Sequence, residues 1–135
     1  MEVKKLHLKV ITHEKVVFDE DIDAVYAIGE KGEFGILSGH IPFMTALKIC
    51  VVRAVKDGIT TPIATMGGVF QVKENDCIIL TSIAELASDI DIVRAKEAKD
   101  RAEARLGSQH ESIDRHRAEI ALAKAMARLK ATSLK

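Results

Sequence analysis

The segments SDIDIVRAKEAKDRAEARLG (residues 88–107) and SIDRHRAEIALAKAMARLKATSLK (residues 112–135) decide the organisation of this chain. Both are rich in Ala, Arg, Lys and Glu, which favour helices, whereas the residues before them are rich in Val, Ile and Gly. The helical pattern breaks once, near Gly107 and Ser108. The sequence therefore predicts two helices joined by a tight turn, a helical hairpin that occupies residues 87–135.

Small side chains dominate the faces on which the two helices are predicted to meet. At helical spacing these are Ala95, Ala98 and Ala102 in the first helix and Ala118, Leu122, Ala125 and Leu129 in the second. At about 0.8 kcal/mol for each buried carbon, alanines hold such a pair less tightly than leucines. A second apolar stripe on the second helix comprises Ile113, Ile120 and Ala127. Two interpretations remain open: both stripes are buried permanently, or the hairpin can open.

The helix ends carry capping signals. Ser88, followed three positions later by Asp91, is similar to a capping box and predicts the start of the first helix. Gly107 predicts its end. Either Ser112 or Asp114 is predicted to cap the second helix.

Residues 1–86 have the pattern of an antiparallel β sandwich. Leu6, Leu8 and Val10 alternate with other residues, as in a half-buried strand. The other predicted strands are residues 16–18, 22–28 and 49–56 and a partner strand interrupted by Pro62. Asp57-Gly58 predicts the hairpin turn between the last two strands. A second hairpin, from Val69 to Ile83, is predicted to turn at Asn75-Asp76. Short strands with frequent turns are typical of sandwiches. The predicted fold is α+β, with a β-sandwich domain in residues 1–86 followed by the helical hairpin.

Composition argues against several classes of protein. The 135 residues are 47% hydrophobic but contain no apolar run long enough for a membrane helix. The formal net charge is zero, which predicts no general affinity for nucleic acid. The first residues lack the apolar core of a signal peptide, and Cys50 and Cys77 lie in apolar strands, so we expect buried thiols in a reducing compartment. No metal-ligand spacing, nucleophile with a base or carboxylate pair indicates an enzyme.

The densest glycine region is GEKGEFGILSGHIP (residues 29–42). It is not a phosphate loop, because no Lys-Ser/Thr pair closes it and no helix follows. Gly32, Gly35 and Gly39 are predicted to need a positive φ or a close approach of the backbone. We interpret the region as a folded surface loop that contacts a partner through Glu30, Gly32, Glu33 and His40.

These residues resemble the epsilon subunit of F-type ATP synthases, of the bacterial type. Residues 32–42 with Thr45 and Leu47-Lys48 are similar to one signature of that family, and Gly67-Gly68-Val69 with Val72 is similar to another. Ala84-Glu85 leads into the helices as in the family. The resemblance covers essentially the whole chain. It departs at Ile49-Cys50, where many members have Pro-Gly.

The resemblance implies a noncatalytic subunit of the central stalk, acting in ATP synthesis and ion transport. It implies that the sandwich binds the gamma subunit and the c ring through Glu30, Gly32, Glu33 and His40. It also implies that the hairpin is mobile and inhibits ATP hydrolysis by extending toward the alpha and beta subunits. The expected location is peripheral, on the cytoplasmic side of the cell membrane, and reached only through the complex.

The sequence IDIVRA (residues 90–95) resembles the ATP-recognition motif of the same family. Asp91, Arg94 and Arg101 share one side of a helix, where arginines can pair with phosphates and a carboxylate can bind an adenine amino group. Without the resemblance, an ordinary salt-bridged face is the simpler explanation. The resemblance implies that ATP is a regulatory ligand, with no cofactor required, and that it is bound by Glu85, Ile90, Asp91, Arg94, Ala95, Arg101, Lys124 and Arg128. Lys124 replaces an arginine of strong ATP binders, and lysine is a point charge rather than a fork.

Residues 120–135 carry several cations and no acid. Cations suit a helix C-terminus, but they also suit an acidic partner. We assign Lys124, Arg128 and Lys130 to an inhibitory helix that meets an acidic surface of the catalytic subunits. A different class of function also remains open: a free-standing β-sandwich adaptor whose basic helical tail docks on an acidic protein.

Overall fold

The computed structural model describes residues 5–108 and 114–134. The strands are β1 (Leu6–Ile11), β2 (Val16–Ile22), β3 (Ala24–Gly29), β4 (Gly32–Leu37), β5 (Phe43–Lys56), β6 (Ile59–Lys73), β7 (Asp76–Leu80) and β8 (Ala84–Leu86). A 3-10 turn, Ala87–Asp89, leads to helices α1 (Ile92–Gly107) and α2 (Arg115–Ser133). The predicted class, a β sandwich followed by a helical hairpin, is confirmed.

The strands are hydrogen-bonded in the order β2-β1-β7-β6-β5-β3-β4, and β8 pairs with β6. All of these pairs are antiparallel except β1 with β7, which is parallel. The two long strands, β5 and β6, run through both halves of the sandwich. The predicted antiparallel arrangement therefore contains one parallel pair.

Both long strands exchange their inward and outward faces at the same point. Ile63 and Phe70 of β6 face the main core although they lie seven positions apart, which strict alternation forbids. Between them Gly67 and Gly68 have φ values of 82° and 117°. A Cβ on Gly68 would lie 2.1 Å from the carbonyl oxygen of Leu80. The Gly67-Gly68 pair thus allows β6 to bend so that the sheet folds over itself. A side chain at position 68 would collide with the backbone of β7.

Two predictions about the strands were wrong. The predicted strand 22–28 starts at Ala24, since Ile22 completes β2. Pro62 does not interrupt β6 but pairs in register with Arg53, and β8 covers the other edge of β6 only from Ile63 onward. Because that edge is open at Pro62, a residue without an N–H group is tolerated there.

The glycine-rich region was also interpreted wrongly as a loop. Its central part, Gly32–Leu37, is strand β4, which forms a hairpin with β3. Gly32 and Gly39 do have positive φ values, 121° and 85°. At Gly35 the reason is a close approach, because an added Cβ would lie 2.7 Å from the ring of Tyr26. The predicted turn at Asp57-Gly58 is present, with both residues at positive φ, whereas the next turn has Glu74 and Asn75 in that conformation.

The main core lies between the two halves of the sandwich. Its fully buried large side chains include Leu6, Leu8, Val10, Ile22, Val25, Ile36, Val52, Ile63, Phe70, Val72 and Ile79. Cys50 and Cys77 are buried free thiols, as predicted. Burial raises the pKa of Cys77 to about 11. Within residues 5–108 and 114–134, no helix is long and apolar enough to cross a membrane.

A second core joins the hairpin to the outer face of the sandwich. Val51, Ala64 and Met66 of the sheet pack against Ala87, Ile90, Ala95 and Ala131. The helices pack on each other through alanines, since Ala95, Ala102, Ala118 and Ala125 are at most 2% exposed. Ile113 of the predicted second stripe lies outside the described residues. In this structure the hairpin is closed on the sandwich, and Ala95 and Ala131 are its buried contacts on the two helices.

The helix caps differ in part from the prediction. Ser88 does not cap α1; it lies in the 3-10 turn, and Asp91 caps the helix by accepting from the Arg94 amide at 3.1 Å. Burial of Ala87 and Ile90 holds the intervening residues against the sandwich, so the helix cannot start earlier. Asp114 caps α2, as one of the two alternatives predicted.

A histidine between two carboxylates ties the edge strand β2 to β1. His7 Nδ1 lies 2.7 Å from an Asp21 oxygen, and its Nε2 bonds the Asp19 carboxylate. Hydrogen bonds to Asp21 and Asp19 raise the pKa of His7 above its usual 6.5, and the bond to His7 lowers the pKa of Asp21. A raised histidine pKa stabilises the fold below pH 6.5, and this contribution disappears as pH rises through the raised value.

We therefore expect His7→Asn to lower the melting temperature at about pH 6 and to have little effect at about pH 9. His13→Asn is the matched control, because His13 lies in an exposed turn outside this cluster. Thermal melts at both pH values measure the effect. An equal loss of stability at both pH values would contradict the electrostatic explanation.

Candidate functional site

A candidate site is a cleft of about 370 Å³ at the junction of sandwich and hairpin. It is lined by Glu85, Asp89, Ile90, Asp91, Arg94, Ala95, Ala98, Arg101 and Arg128. These residues come from β8, the 3-10 turn, α1 and α2. Small-molecule sites usually have volumes of roughly 300–1,000 Å³, so the cleft is large enough for a compact ligand.

Asp91 sets the position of the arginines on α1. Its carboxylate caps the helix at the Arg94 amide, which fixes where the first turn begins. Arg94, Ala98 and Arg101 then lie at intervals of four and three, on one face of α1. The cap therefore holds two guanidinium groups on the cleft side, with the small Ala95 and Ala98 side chains beside them.

Arg128 brings a third guanidinium group from α2. Its Nε donates to Glu85 Oε1 at 2.6 Å, and the two side chains are 26% and 31% exposed. This ion pair connects the second helix directly to β8. Since an arginine has five N–H donors in a planar fork, donors other than Nε remain for an anion.

The chemistry of the cleft suits a ligand with both anionic and amine groups. Three arginines can bind phosphate oxygens, three carboxylates (Glu85, Asp89 and Asp91) can accept from amino groups, and Ile90 and the alanines supply apolar surface. In the described part of the chain, no group of three His, Cys, Asp or Glu side chains is arranged to hold a metal ion.

The structure brings seven of the eight predicted nucleotide-binding residues to this cleft. They are Glu85, Ile90, Asp91, Arg94, Ala95, Arg101 and Arg128. Lys124 does not line it; this half-buried residue lies on α2 one turn before Arg128. Asp89, which was not among the predicted residues, also lines the cleft. Its placement depends on the 3-10 turn, which the sequence did not predict.

The predicted partner-contact residues follow the β3–β4 hairpin. Glu30 and Gly32 are exposed at its tip, and Glu33 of β4 is paired with Arg53, whose Nη2 donates to Glu33 Oε1 at 2.9 Å. His40 lies beyond β4, where its Nδ1 donates to the Ile41 carbonyl at 2.7 Å and its ring contacts Phe43. The four are near one another along the chain, but the Glu33 carboxylate already has a partner.

Sequence reasoning missed an exposed apolar face on the sandwich. Met44, Val69, Ile78 and Leu80 are 64%, 41%, 37% and 53% exposed. They lie on one face, because Val69 pairs with Leu80 and Gln71 pairs with both Met44 and Ile78. The available signal was the apolar character of both faces of β6 and β7. A contiguous exposed apolar patch is typical of a protein contact surface.

The three predicted inhibitory cations do not form one patch in the closed hairpin. Lys124 and Arg128 are four residues apart and share a side of α2, and Arg128 is bound to Glu85. Lys130 lies two residues after Arg128, on nearly the opposite side, since successive residues are rotated by about 100°. It lines a smaller cavity against Tyr26 and Arg53.

Two family models match the chain: the beta-sandwich domain of the ATP synthase delta/epsilon chain over residues 5–87, and its long alpha-helix domain over residues 88–133. The ATP synthase epsilon chain of Desulforamulus reducens is 49% identical over 95% of this chain and 97% of the relative. That of Nitratidesulfovibrio vulgaris is 45% identical over 94% and 95%.

Solved structures show the same fold. A chain of the Euglena gracilis mitochondrial ATP synthase matches with a TM-score of 0.81 at 23% identity, covering 96% of this chain and 81% of that one. A chain of the Tetrahymena thermophila mitochondrial ATP synthase central stalk and c ring matches with a TM-score of 0.62 at 13% identity, covering 98% and 99%.

The resemblance seen in the sequence is confirmed, and the comparisons favour it over the free-standing adaptor. They also confirm a structural and regulatory role in place of a catalytic one. The family models span nearly the whole chain, and the curated relatives match it from end to end. This chain therefore belongs to the ATP synthase delta/epsilon chain family, as an epsilon chain of the bacterial type.

Proposed function

We propose that this epsilon chain works in the central stalk as a switch with two states. In the closed state the hairpin lies on the sandwich and binds ATP in the arginine-lined cleft. In the extended state the hairpin reaches the alpha and beta subunits and inhibits ATP hydrolysis. The observation that carries this proposal is the composition of the cleft, because β8, α1 and α2 all contribute residues to it.

A ligand in such a cleft favours closure for a simple thermodynamic reason. A ligand shifts a conformational equilibrium only by its differential affinity for the two states. Arg128 leaves the cleft when α2 departs, whereas Arg94 and Arg101 stay together on α1. ATP therefore binds the closed state more tightly and holds the hairpin down.

The closed state is also held weakly enough to be released. The helices meet through alanine methyl groups, and four of the seven buried residues described in the interface with the sandwich are alanines. Each buried carbon contributes only about 0.8 kcal/mol. The Glu85–Arg128 pair adds an ion pair that is partly exposed and therefore partly screened.

The sandwich supplies the fixed attachment of the switch. We assign the exposed apolar face around Met44, Val69 and Leu80 to the gamma subunit. The β3–β4 hairpin, with Glu30, Gly32 and Glu33, and the nearby His40 face the c ring. Attachment through these subunits gives the peripheral location on the cytoplasmic side of the membrane and the role in ion-coupled ATP synthesis.

Coexpression with the gamma subunit tests the attachment. We expect a stoichiometric complex with the native chain, and at least about 30-fold weaker binding for the double variant Met44→Glu, Leu80→Glu, because charges replace apolar side chains at the centre of the face. Ile59→Glu is the matched control, since Ile59 is 70% exposed at the opposite end of the β5–β6 ladder. Failure of the native chain to bind gamma would favour the free-standing adaptor.

A further inference from the structure

Three side chains on neighbouring strands form a cluster beside the helix-covered face. The Arg53 guanidinium lies 5.0 Å from the centre of the Tyr26 ring and donates to Glu33 at 2.9 Å. Tyr26 pairs with Arg53 on one side and with Gly35 on the other. The ring lies close over Gly35, where an added Cβ would be 2.7 Å away. The pairing of β3 with β4 and β5 thus fixes the positions of Tyr26, Glu33 and Arg53. The absence of a side chain at Gly35 leaves room for the Tyr26 ring.

The last turns of α2 lie against this cluster. A cavity of about 180 Å³ is lined on the sandwich side by Tyr26, Glu33 and Arg53 and on the helix side by Lys130 and Leu134. Between these two helix residues Ala131 is fully buried in the second core. The end of the second helix therefore meets the sandwich at a place that contains opposite charges.

The balance of charge around this cavity depends on the Glu33 carboxylate. Arg53 and Lys130 are both cations, and among the described residues that line the cavity Glu33 is the one acid. Its carboxylate compensates Arg53, to which it is bonded, and reduces the repulsion that Lys130 meets on closing. Without that carboxylate two cations face each other, which disfavours the closed hairpin.

We propose that Glu33 couples the β3–β4 hairpin to the state of the helices through Arg53 and Lys130. A basic group of a docking partner that binds Glu33 would remove its compensation of Arg53 and promote release of α2. Coupling is reciprocal, so release of Lys130 strengthens the attraction of Glu33 for that basic group. The partner part of this inference rests on the proposed attachment of β4, whereas the Glu33–Arg53 ion pair is present within the isolated protein.

The test measures hairpin opening in the isolated protein. Ala64→Cys introduces a thiol at a fully buried position under the hairpin, so its labelling rate under native conditions reports opening. Cys50 and Cys77 lie in the main core and report global unfolding in the same sample. In this background we expect Glu33→Gln to speed labelling at position 64 by about two- to fivefold, the range for a partly exposed ion pair.

Two further variants separate charge coupling from a structural effect. Glu20→Gln makes the same chemical change at an exposed site outside the cavity and should leave the rate unchanged. Adding Lys130→Gln to Glu33→Gln removes the uncompensated cation and should restore the native rate. The effect of Glu33→Gln should also shrink at about 1 M salt. Equal rates for Glu33→Gln and Glu20→Gln, or no recovery on adding Lys130→Gln, would overturn the proposal and leave the attachment to gamma unaffected.

Discussion

Replacing Arg94 and Arg101 together with alanine should weaken ATP binding to the isolated protein by at least about 100-fold. Both guanidinium groups line the cleft from one face of α1, and a hydrogen bond to a charged group contributes roughly 1.5–3 kcal/mol. The fold should be unaffected, because both side chains are exposed and the Asp91 cap uses the backbone amide of Arg94. Titration calorimetry with ATP measures the change.

A matched double variant on the same helix isolates the site. Lys96→Ala with Arg105→Ala removes the same net charge from exposed positions outside the cleft, so its affinity for ATP should stay within about threefold of the native value. A second readout is the labelling of Ala64→Cys, which ATP should slow by holding the hairpin closed. If the two double variants bound ATP with equal affinity, the nucleotide would not bind at this face of α1.

Deleting residues 88–135 from the assembled complex should raise ATP hydrolysis severalfold. The deletion removes both helices and therefore any contact of an extended hairpin with the catalytic subunits. It also uncovers Val51, Ala64 and Met66, so the shortened subunit must first show a cooperative melt and still copurify with the stalk. Hydrolysis is compared at equal amounts of assembled complex.

Charge variants then test how the inhibition works. Arg128 is bound to Glu85 in the closed state and is also one of the cations proposed to contact the catalytic subunits, so its loss weakens both states. Lys124→Ala with Lys130→Ala leaves the Arg128–Glu85 ion pair intact. Exposed pairs are each worth about 0–1 kcal/mol, so this double variant should raise hydrolysis less than the deletion does. The triple variant with Arg128→Ala should also raise hydrolysis. Unchanged hydrolysis after the deletion would show that this hairpin does not inhibit.

The sequence predicted those parts of the fold that depend on local chemistry. The hairpin could be predicted from its alanine-rich helical periodicity, from Gly107 and from Asp114, one of the two predicted caps. One β turn could be predicted from Asp57-Gly58. These signals act within a few residues, so they can be recognised without knowing what lies nearby.

The parts that were missed depend on residues distant in sequence. Ser88 and Asp91 are both good capping residues, and only the burial of Ala87 and Ile90 against the sheet decides between them. The close approach expected at Gly35 is present, but its neighbour Tyr26 lies across the strand pair and could not be named in advance. Pro62 is tolerated because of where β8 ends. The proposed nucleotide site shows the same division, since the motif at the start of α1 was readable but the contribution of Asp89 required the 3-10 turn.

The parallel pairing of β1 with β7 has a consequence for how the chain is made. Leu8 pairs with Cys77, so β1 cannot pair with β7 until nearly the whole sandwich has been synthesised. Contacts between such distant residues slow folding, because the intervening chain must be ordered first. We expect the emerging chain to keep an unpaired edge on β1 until β7 leaves the ribosome. Since α1 and α2 are synthesised last, they meet a sandwich that is already closed.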